Sequence, residues 1–479
     1  MTSENIKTLF LNKLPYNPTS DQEFLIDKIP EFLNDDGNKK LFLIKGYAGT
    51  GKTTFVSTLI KILPSLNKKS ILLAPTGRAA KVLANYSNKV AFTIHKKIYK
   101  IGTLKNGNIS IDLKKNYHKN TVFIVDEASM IPDRLGFNDS NLFSQRNLLE
   151  DLFDYVFQGK NCKLILIGDS AQLPPVGLDI SPAINIEYLK AHFFDISIDS
   201  FELKEVVRQS KDSGILSNAT NIRKLISNNF IKLPFFFLKK HTDIQRITGE
   251  DLEDLLNDAY SSNEIGKSVV ICRSNKRANI FNQEIRRRIL YKEDEISAGD
   301  FMMVVKNNYF WLPSDSKAGF IANGDIIEIL KIKNISELYG FRFADVTIRL
   351  VDYPDEGNID TKILLDTIST DAPDLKYEDS KRFFNEIMKD YIDIPQRKKR
   401  YESLRNNPYF NALHIKFAYS LTCHKTQGGQ WDTVFVDQGY VNENMINKEY
   451  LRWLYTAITR SVKKLYLLNF NDNFFETTF

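Results

Sequence analysis

Short runs of consecutive apolar residues alternate with longer amphipathic stretches through residues 1–205. Four of these runs are rich in Val, Ile, Leu and Phe, at residues 41–44, 70–74, 121–125 and 163–167. Strands that are buried on both faces have this composition, whereas half-exposed strands alternate apolar and polar residues. The pattern therefore predicts an α/β fold, in which a parallel sheet is covered by helices.

A different pattern interrupts the first domain at residues 99–113. Apolar and polar residues alternate there on both sides of Asn106 and Gly107, a dipeptide typical of two-residue hairpin turns. We therefore expect a β-hairpin insertion, within residues 97–116, that projects from the first domain of residues 1–205.

A second series of buried strands and helices begins near residue 206, with a predicted strand at 268–272 and a predicted helix at 275–290. A β-rich stretch and a charged helical stretch then intervene before the buried-strand pattern returns. The later predicted strands are 301–305, 325–332, 341–351, 362–367, 418–422, 433–436 and 464–468, and the helical stretch is 372–406. We predict a second α/β domain of residues 206–290 and 412–479, into which a β-rich domain of residues 291–411 is inserted.

Length and charge agree with this division. A chain of 479 residues exceeds the roughly 250–300 residues at which single cores stop growing. Lys and Arg number 65 against 59 Asp and Glu, and this small excess is compatible with a polyanionic partner without requiring one. The basic run at residues 397–400 fits either a solvated helix face or a contact to nucleic acid or a partner protein.

Cysteine usage and the N-terminus bear on the cellular setting. Cys162, Cys272 and Cys423 are far apart and lie in or beside apolar runs, which favours buried reduced thiols over disulfides or a metal site. The sequence shows neither a signal-peptide pattern nor an apolar run of about 18 residues, the minimum for a membrane span. We expect a soluble, cytoplasmic protein.

The segment GYAGTGKTT at residues 46–54 matches the phosphate-binding pattern G-x-x-x-x-G-K-[ST] at every fixed position. It lies between a predicted buried strand and a predicted helix, which is the context that this motif requires. Lys52 would contact the outer phosphates and Thr53 would bind Mg²⁺, so ATP and Mg²⁺ are the predicted cofactors. The predicted nucleotide contacts are Gly46, Ala48, Gly49, Thr50, Gly51, Lys52, Thr53 and Thr54.

Polar residues follow two further predicted strands of the same sheet. Asp126 would share the Mg²⁺ shell with Thr53, and Glu127 would polarise the attacking water. Such a pair is also common in solvated turns, but the phosphate loop favours the catalytic interpretation. Gln172 is suited to detect a γ-phosphate, although an exposed glutamine in a proline-stiffened turn explains the local sequence equally well.

Two arginines outside the first domain are candidates for completing this site. Arg208 and Arg460 end the stretches LKEVVR and LYTAITR. An arginine that reaches the transferring phosphoryl group from another domain stabilises transition-state charge and links hydrolysis to domain closure. Most arginines are surface residues, and that alternative stays open for each.

In this order the motifs resemble those of the superfamily 1 helicases, in particular the RecD-like and Dda-like group of superfamily 1B. The resemblance extends over nearly the whole chain. The matching stretches are 46–54, APTGRAA at 74–80, TIH at 93–95, DEAS at 126–129, 168–175, 205–209, LTCHKTQGGQW at 421–431 and 455–460.

The resemblance implies two RecA-like P-loop NTPase domains, a hairpin that separates the DNA duplex, and an SH3-like inserted domain. It implies an ATP-dependent 5′-to-3′ DNA translocase and helicase that acts as a monomer on single-stranded and tailed duplex DNA, with partners from replication or repair. It also assigns adenine recognition to Gln22 and a nucleotide contact to Gly428. The implied DNA contacts are Pro75, Thr76, Arg78, His95, His424 and Lys425.

Two features depart from the family pattern. Gly429 and Gln430 stand where many relatives carry a small residue and an acid, and the hairpin tip has no aromatic residue, Tyr99 being the nearest. Two other functions stay open: a motor subunit of a recombination or exonuclease complex, and a P-loop ATPase switch that does not translocate. DNA-stimulated ATP hydrolysis separates the switch from both DNA motors.

Overall fold

The computed structural model describes residues 2–35, 37, 39–103, 109–133, 146–207, 212–239, 241–261, 265–313, 316 and 318–475. The strands in these ranges are β1 (Lys40–Gly46), β2 (Lys69–Ala74), β3 (Ala91–Thr93), β4 (Tyr99–Thr103), β5 (Ile109–Leu113), β6 (Thr121–Val125), β7 (Lys163–Gly168), β8 (Ser197–Leu203), β9 (Ile244–Ile247), β10 (Ser268–Cys272), β11 (Phe301–Val304), β12 (Ile326–Leu338), β13 (Phe341–Leu350), β14 (Asn358–Leu364), β15 (Leu413–Phe417), β16 (Ser420–Thr422), β17 (Trp431–Asp437) and β18 (Ser461–Leu468). The α-helices are α1 (Ser3–Lys13), α2 (Ser20–Asn34), α3 (Lys52–Ile62), α4 (Gly77–Ser87), α5 (Ile94–Ile98), α6 (Leu148–Gln158), α7 (Ile186–His192), α8 (Gly214–Ser227), α9 (Gly249–Ser261), α10 (Asn275–Glu284), α11 (Asp366–Ser369), α12 (Tyr377–Lys389), α13 (Arg397–Arg405), α14 (Cys423–Thr426) and α15 (Lys448–Ile458).

A first parallel sheet has the strand order β3-β2-β6-β7-β1-β8. Helices α1 to α4 contribute to the apolar core on one face, and α5 to α7 contribute to the core on the other. Every residue of β6 and β7 is buried, as expected for strands between two helical layers. The four strands predicted for this domain are confirmed.

A second parallel sheet has the order β16-β10-β17-β18-β9. Helices α8 and α15 pack on one face, and α9 and α10 pack on the other. The helix predicted at 275–290 is α-helical only to Glu284, after which Ile285–Ile289 form a π-turn. In that turn Arg286 is buried and pairs with Asp300 at 3.0 Å, so a tertiary ion pair accompanies the change of helix type.

In the sequence between β10 and β16 of the second sheet, the chain forms a closed barrel of β11, β12, β13, β14 and β15. The domain boundary predicted at residue 411 is wrong for β15, which pairs with β14 and β11 and so belongs to the barrel. All five residues of β15 are buried, although His414 and Lys416 give the strand the alternating pattern of a half-exposed strand, and no strand was predicted here. The predicted fold class, with two parallel sheets and a β-rich insertion, is confirmed.

The helical stretch predicted at 372–406 is two helices, α12 and α13, separated by a segment that contains Pro395. Phe383 and Ile387 of α12 and Leu404 of α13 pack against Phe341 and Phe343 of the barrel. Residues 397–399 of the basic run are exposed, which agrees with the solvated-face interpretation.

The predicted hairpin is formed by β4 and β5, paired antiparallel from Tyr99 opposite Leu113 to Thr103 opposite Ile109. Its tip, with Asn106 and Gly107, lies outside the described residues. Tyr99 is buried at the base of the hairpin and its hydroxyl donates to Asp151 at 2.7 Å. The nearest aromatic side chain is therefore held in the core of the first domain.

The three cysteines are free and buried, as the sequence predicts. Within the described ranges, no group of three or more His, Cys, Asp and Glu side chains is arranged to bind a metal ion. Among the helices that the structure describes, none is both long enough and apolar enough to cross a bilayer.

Candidate functional site

The phosphate loop connects β1 to α3 at the carboxyl edge of the first sheet. Gly51 caps α3 at φ +80°, and a Cβ at this position would lie 2.3 Å from Nε2 of Gln22. Since Gly51 offers no capping side chain, the first-turn N–H groups of α3 face the loop. Lys52 Nζ donates to the carbonyls of Gly46 at 2.6 Å and Tyr47 at 2.8 Å. This cradle of N–H groups and one lysine fits a triphosphate, and the Thr53 hydroxyl in the first turn fits its Mg²⁺.

The acidic pair follows β6 and faces the same edge of the sheet. Asp126 accepts a hydrogen bond from the Tyr86 hydroxyl at 2.6 Å and another from the Glu127 N–H at 2.8 Å. Glu127 adopts φ +52° and ψ +35°, a left-handed conformation that is uncommon for non-glycine residues. Burial raises the pKa of the Glu127 carboxyl to about 7, and the Arg460 guanidinium opposes that rise. Such a carboxyl is suited to accept a proton from water.

Gln172 lies in the turn after β7 and is only 6% exposed, so the exposed-turn interpretation is wrong. Its Oε1 atom is buried and has no hydrogen-bond partner among the residues that the structure describes. The backbone of the next residue is held from the second sheet: Leu173 N donates to Thr456 Oγ1 at 2.9 Å, and Gln427 Nε2 donates to Leu173 O at 2.8 Å. A buried, unpaired amide oxygen at this edge agrees with the predicted role as a phosphate or water contact.

Arg460 reaches this site from the second sheet. It follows α15, is 5% exposed, and places Nη1 4.0 Å from Oε1 of Glu127. Three further bonds fix its guanidinium, to Thr456 O at 3.1 Å, Gly429 O at 3.2 Å and Thr459 Oγ1 at 3.3 Å. The surface alternative is therefore excluded for Arg460, whereas Arg208 lies outside the described residues.

The phosphate loop also touches α8 of the second domain. The Arg223 guanidinium lies 4.5 Å from the centre of the Tyr47 ring. A Cβ on Gly49 would be 3.2 Å from Leu216. The candidate site is therefore a junction in which one sheet supplies the loop and acids and the other supplies an arginine.

Gln22 is buried beneath the phosphate loop. Its Oε1 accepts from Thr19 N at 3.1 Å in a capping box at the start of α2, and its Nε2 donates to Thr50 O at 3.0 Å. The described contacts thus give Gln22 a role in supporting the loop, and adenine recognition stays a prediction.

Several residues predicted to contact DNA or nucleotide lie where the two sheets meet. Thr76 caps α4 by accepting from Ala79 N at 3.2 Å, and Pro75 precedes it at the end of β2. The Arg78 guanidinium stacks on Trp431 of the second domain at 3.8 Å. Gly428 faces α4 at φ +73°, where an added Cβ would lie 2.7 Å from that of Ala79. These contacts give Arg78 and Gly428 a place in the domain junction, and their ligand contacts stay predictions.

The other predicted DNA contacts, His95, His424 and Lys425, differ in whether they carry a charge at pH 7. Burial lowers the pKa of His95 to about 4 and also lowers the pKa of His424, so both rings are neutral at pH 7. Burial lowers the pKa of Lys425 to about 8, which leaves it mostly charged. Of these three, only Lys425 offers a cation to a phosphate, while the histidines offer hydrogen bonds.

Sequence reasoning missed three polar groups at this site. Tyr86 binds Asp126 from α4, and its position in the sequence carries no signal for that contact. Asp169 and Tyr455 lie inside stretches that match the family motifs, but the motifs assign no role to their side chains. Their bond to one another is visible only in three dimensions.

Two parts of the chain match models of known protein families. Residues 31–178 match an AAA domain, and residues 417–468 match a UvrD-like helicase C-terminal domain. The first match covers the phosphate loop and the acidic pair, and the second covers the strands β16 to β18.

Individual relatives cover most of the chain. It is 27% identical to the ATP-dependent DNA helicase dda of Enterobacteria phage T4, over 82% of this chain and 86% of that protein. It is 26% identical to the RecBCD enzyme subunit RecD of Buchnera aphidicola subsp. Schizaphis graminum, over 91% of this chain and 71% of that protein. A solved structure of Pif1 helicases acting at forked double-stranded DNA shares the fold, with a TM-score of 0.50 and 16% identity over 97% of this chain and 95% of that one.

Proposed function

We propose that this chain, which belongs to superfamily 1B of the DNA helicases, is an ATP-dependent DNA helicase that moves 5′ to 3′ along single-stranded DNA. The observation that carries the proposal is the approach of Arg460, from the second sheet, to within 4.0 Å of Glu127 in the first. Because both sheets complete the nucleotide site, hydrolysis there depends on how the sheets are placed, and it can therefore drive their movement. The relation to the T4 DNA helicase dda supports DNA as the track.

Each polar group has a separate task in hydrolysis. The loop N–H groups and Lys52 bind the phosphates, and Thr53 and Asp126 hold Mg²⁺, which neutralises phosphate charge when bound. Glu127 takes the proton of the attacking water, and Gln172 contacts that water or the γ-phosphate. Arg460, together with Arg208, stabilises the charge that develops on the transferred phosphoryl group.

The DNA track is proposed to cross both α/β domains. Pro75, Thr76, Arg78 and His95 supply contacts from the first, and His424 and Lys425 supply contacts from the second. Hydroxyl and N–H donors at these positions hold the backbone without reading the sequence, while Pro and His present flat surfaces to the bases. Closure on ATP and opening after hydrolysis would then move one set of contacts relative to the other.

The domain division is proposed as residues 1–205 with the hairpin at 97–116, a second α/β domain on either side of the insertion, and a barrel domain that ends at Phe417. The contact between α4 and the barrel supports a shared role at the DNA track. Lys81 of α4 pairs with Asp352 at 2.8 Å, and Asp325 of the barrel abuts Gly77, where an added Cβ would lie 2.2 Å from its carboxylate.

Strand displacement tests the proposal directly. With ATP, we expect separation of a duplex that carries a 5′ single-stranded tail and little separation of one that carries a 3′ tail. Addition of single-stranded DNA should also raise ATP turnover. Absence of that stimulation would refute a DNA motor, and separation of only the 3′-tailed substrate would reverse the polarity.

Replacement of Lys52 by alanine removes the cation that faces the outer phosphates. We expect ATP turnover to fall by about 10²–10³-fold, because one preorganised electrostatic contact has this value in enzymes. Lys61→Ala is the matched control, since this lysine is exposed on the same helix. If Lys52→Ala turns over ATP as Lys61→Ala does, the loop is not the hydrolytic site.

A second function follows from the relation to RecD, a subunit of the RecBCD enzyme. In that case the chain would serve as the motor of a larger recombination complex. The isolated chain should then hydrolyse ATP on single-stranded DNA but displace strands only after a partner is added.

A further inference from the structure

Tyr455 connects three parts of the nucleotide site through one buried hydroxyl. It lies on α15 of the second domain and has no exposed surface. Its hydroxyl donates to Asp169 Oδ2 at 2.7 Å and accepts from the N–H of Ala48, in the phosphate loop, at 2.9 Å. Both partners belong to the first domain, so these two bonds exist only when the sheets are together.

The bonding is complete on both sides. A tyrosine hydroxyl has one donor, which Asp169 receives, and it accepts from Ala48. Asp169 is itself 1% exposed, and its other oxygen accepts from Ala171 N at 2.9 Å. The loop that follows β7 is thereby joined to the phosphate loop by a side chain from the opposite sheet.

Neighbouring residues extend the connection toward Gln172. Thr456, next to Tyr455, accepts a hydrogen bond from the N–H of Leu173, and Gln427 donates to the carbonyl of Leu173. Tyr455 also lies five positions before Arg460, whose guanidinium faces Glu127. The same short segment therefore fixes Ala48, the turn that carries Gln172, and the arginine.

We propose that Tyr455 is a positioning residue, which couples closure of the two sheets to the geometry of the phosphate loop and of the turn that carries Gln172. The inference rests on the proposed ATP-driven function but assigns a role that this function does not require. Tyr455 touches neither phosphate nor water in this role. It acts through the Ala48 amide and the Asp169 carboxylate.

The test is Tyr455→Phe in the full chain, with Tyr450→Phe as the matched control. Tyr450 lies on the same helix and is equally buried, but its hydroxyl accepts from Gln438 within the second domain, at 3.4 Å. With saturating single-stranded DNA, we expect kcat/KM for ATP to fall about tenfold in Tyr455→Phe, because two buried groups lose their partner only in the closed state. Tyr450→Phe should stay within about twofold, as expected for one long hydrogen bond.

A second measurement separates positioning from simple support of the loop. Affinity for a fluorescent ADP analogue without DNA should be unchanged in Tyr455→Phe, since the open first domain keeps its own cradle. A parallel loss of ADP affinity, or equal kcat/KM in the two variants, would overturn the inference. If the wild-type chain shows no DNA-stimulated turnover, the proposed function fails instead.

A double-mutant cycle locates the partner. Asp169→Asn alone should also lower kcat/KM, and its combination with Tyr455→Phe should lower it by less than the product of the two single effects. Independent effects that multiply would show that the hydroxyl does not act through Asp169.

Discussion

Replacement of Arg460 by alanine is expected to lower DNA-stimulated ATP turnover by about 10³-fold or more, the range found for arginines that reach a transferring phosphoryl group. The physical reason is the geometry of the junction. The guanidinium is held by Thr456, Gly429 and Thr459, and one of its nitrogens lies 4.0 Å from Glu127. Its position across the sheet junction makes the positive charge available only when the domains are closed.

Arg452→Ala provides the control for this prediction. Arg452 lies on α15, the helix that precedes Arg460, and also reaches the first domain, where Nη1 donates to Asp179 O at 2.7 Å, but it makes no described contact with Glu127. We expect its turnover to stay within about threefold, as for a partly exposed surface contact. Arg460→Lys should recover little activity, because lysine keeps the charge but loses the planar fork. Hydrolysis by Arg460→Ala at the level of Arg452→Ala would contradict the assignment.

The central strands of the parallel sheets were predictable from sequence because helices cover both of their faces, and this burial requires a continuous run of apolar residues. Strand β6 was predicted to the residue, whereas β8 was missed: it lies at the edge of the first sheet, and most of its residues have some exposure. Strand β15 was also missed, because its sequence alternates apolar and polar residues, with His414 and Lys416 between the apolar positions, although all five residues are buried. A local pattern therefore specifies neither the neighbours of a strand nor how far they bury it.

For the site, too, the sequence predicted the residues of local motifs but not the contacts that depend on packing. Lys52, Thr53, Asp126 and Glu127 were found because the chemistry depends on short contiguous motifs placed at strand ends. The bonds from Tyr86 to Asp126 and from Tyr455 to Asp169 and Ala48 join residues that are distant in sequence. Such contacts depend on the packing of α4 and α15, which no local pattern specifies.

The burial of the Glu127 carboxyl, and its effect on the pKa, could not be predicted from the sequence. The motif shows two adjacent acids and gives no sign of burial, but burial raises the pKa of the Glu127 carboxyl to about 7. Burial is a tertiary effect, which a local motif does not specify. This raised pKa suits Glu127 to the role of general base.

Glu127→Gln should separate ATP binding from ATP hydrolysis. Glutamine has the same shape but does not accept the proton of the attacking water, so turnover should fall by about 10²–10⁴-fold, the contribution of a general base. ATP affinity should be kept, because the phosphate cradle is untouched and Arg460 retains its bonds to Thr456, Gly429 and Thr459. Quenched single-turnover hydrolysis and binding of a fluorescent ATP analogue measure the two quantities.

The control for Glu127→Gln is Glu202→Gln, in the edge strand beside the phosphate loop. Glu202 accepts from the Tyr47 hydroxyl at 3.0 Å, so it supports the loop without facing Arg460. Its turnover should stay within about threefold, since one partly exposed hydrogen bond has a modest net value. Glu127→Gln should in addition trap the closed state, and release of single-stranded DNA in the presence of ATP should be slower than from wild type. Equal losses of ATP affinity and turnover would instead mean that Glu127 supports the structure of the junction, because a general base is needed only after ATP is bound.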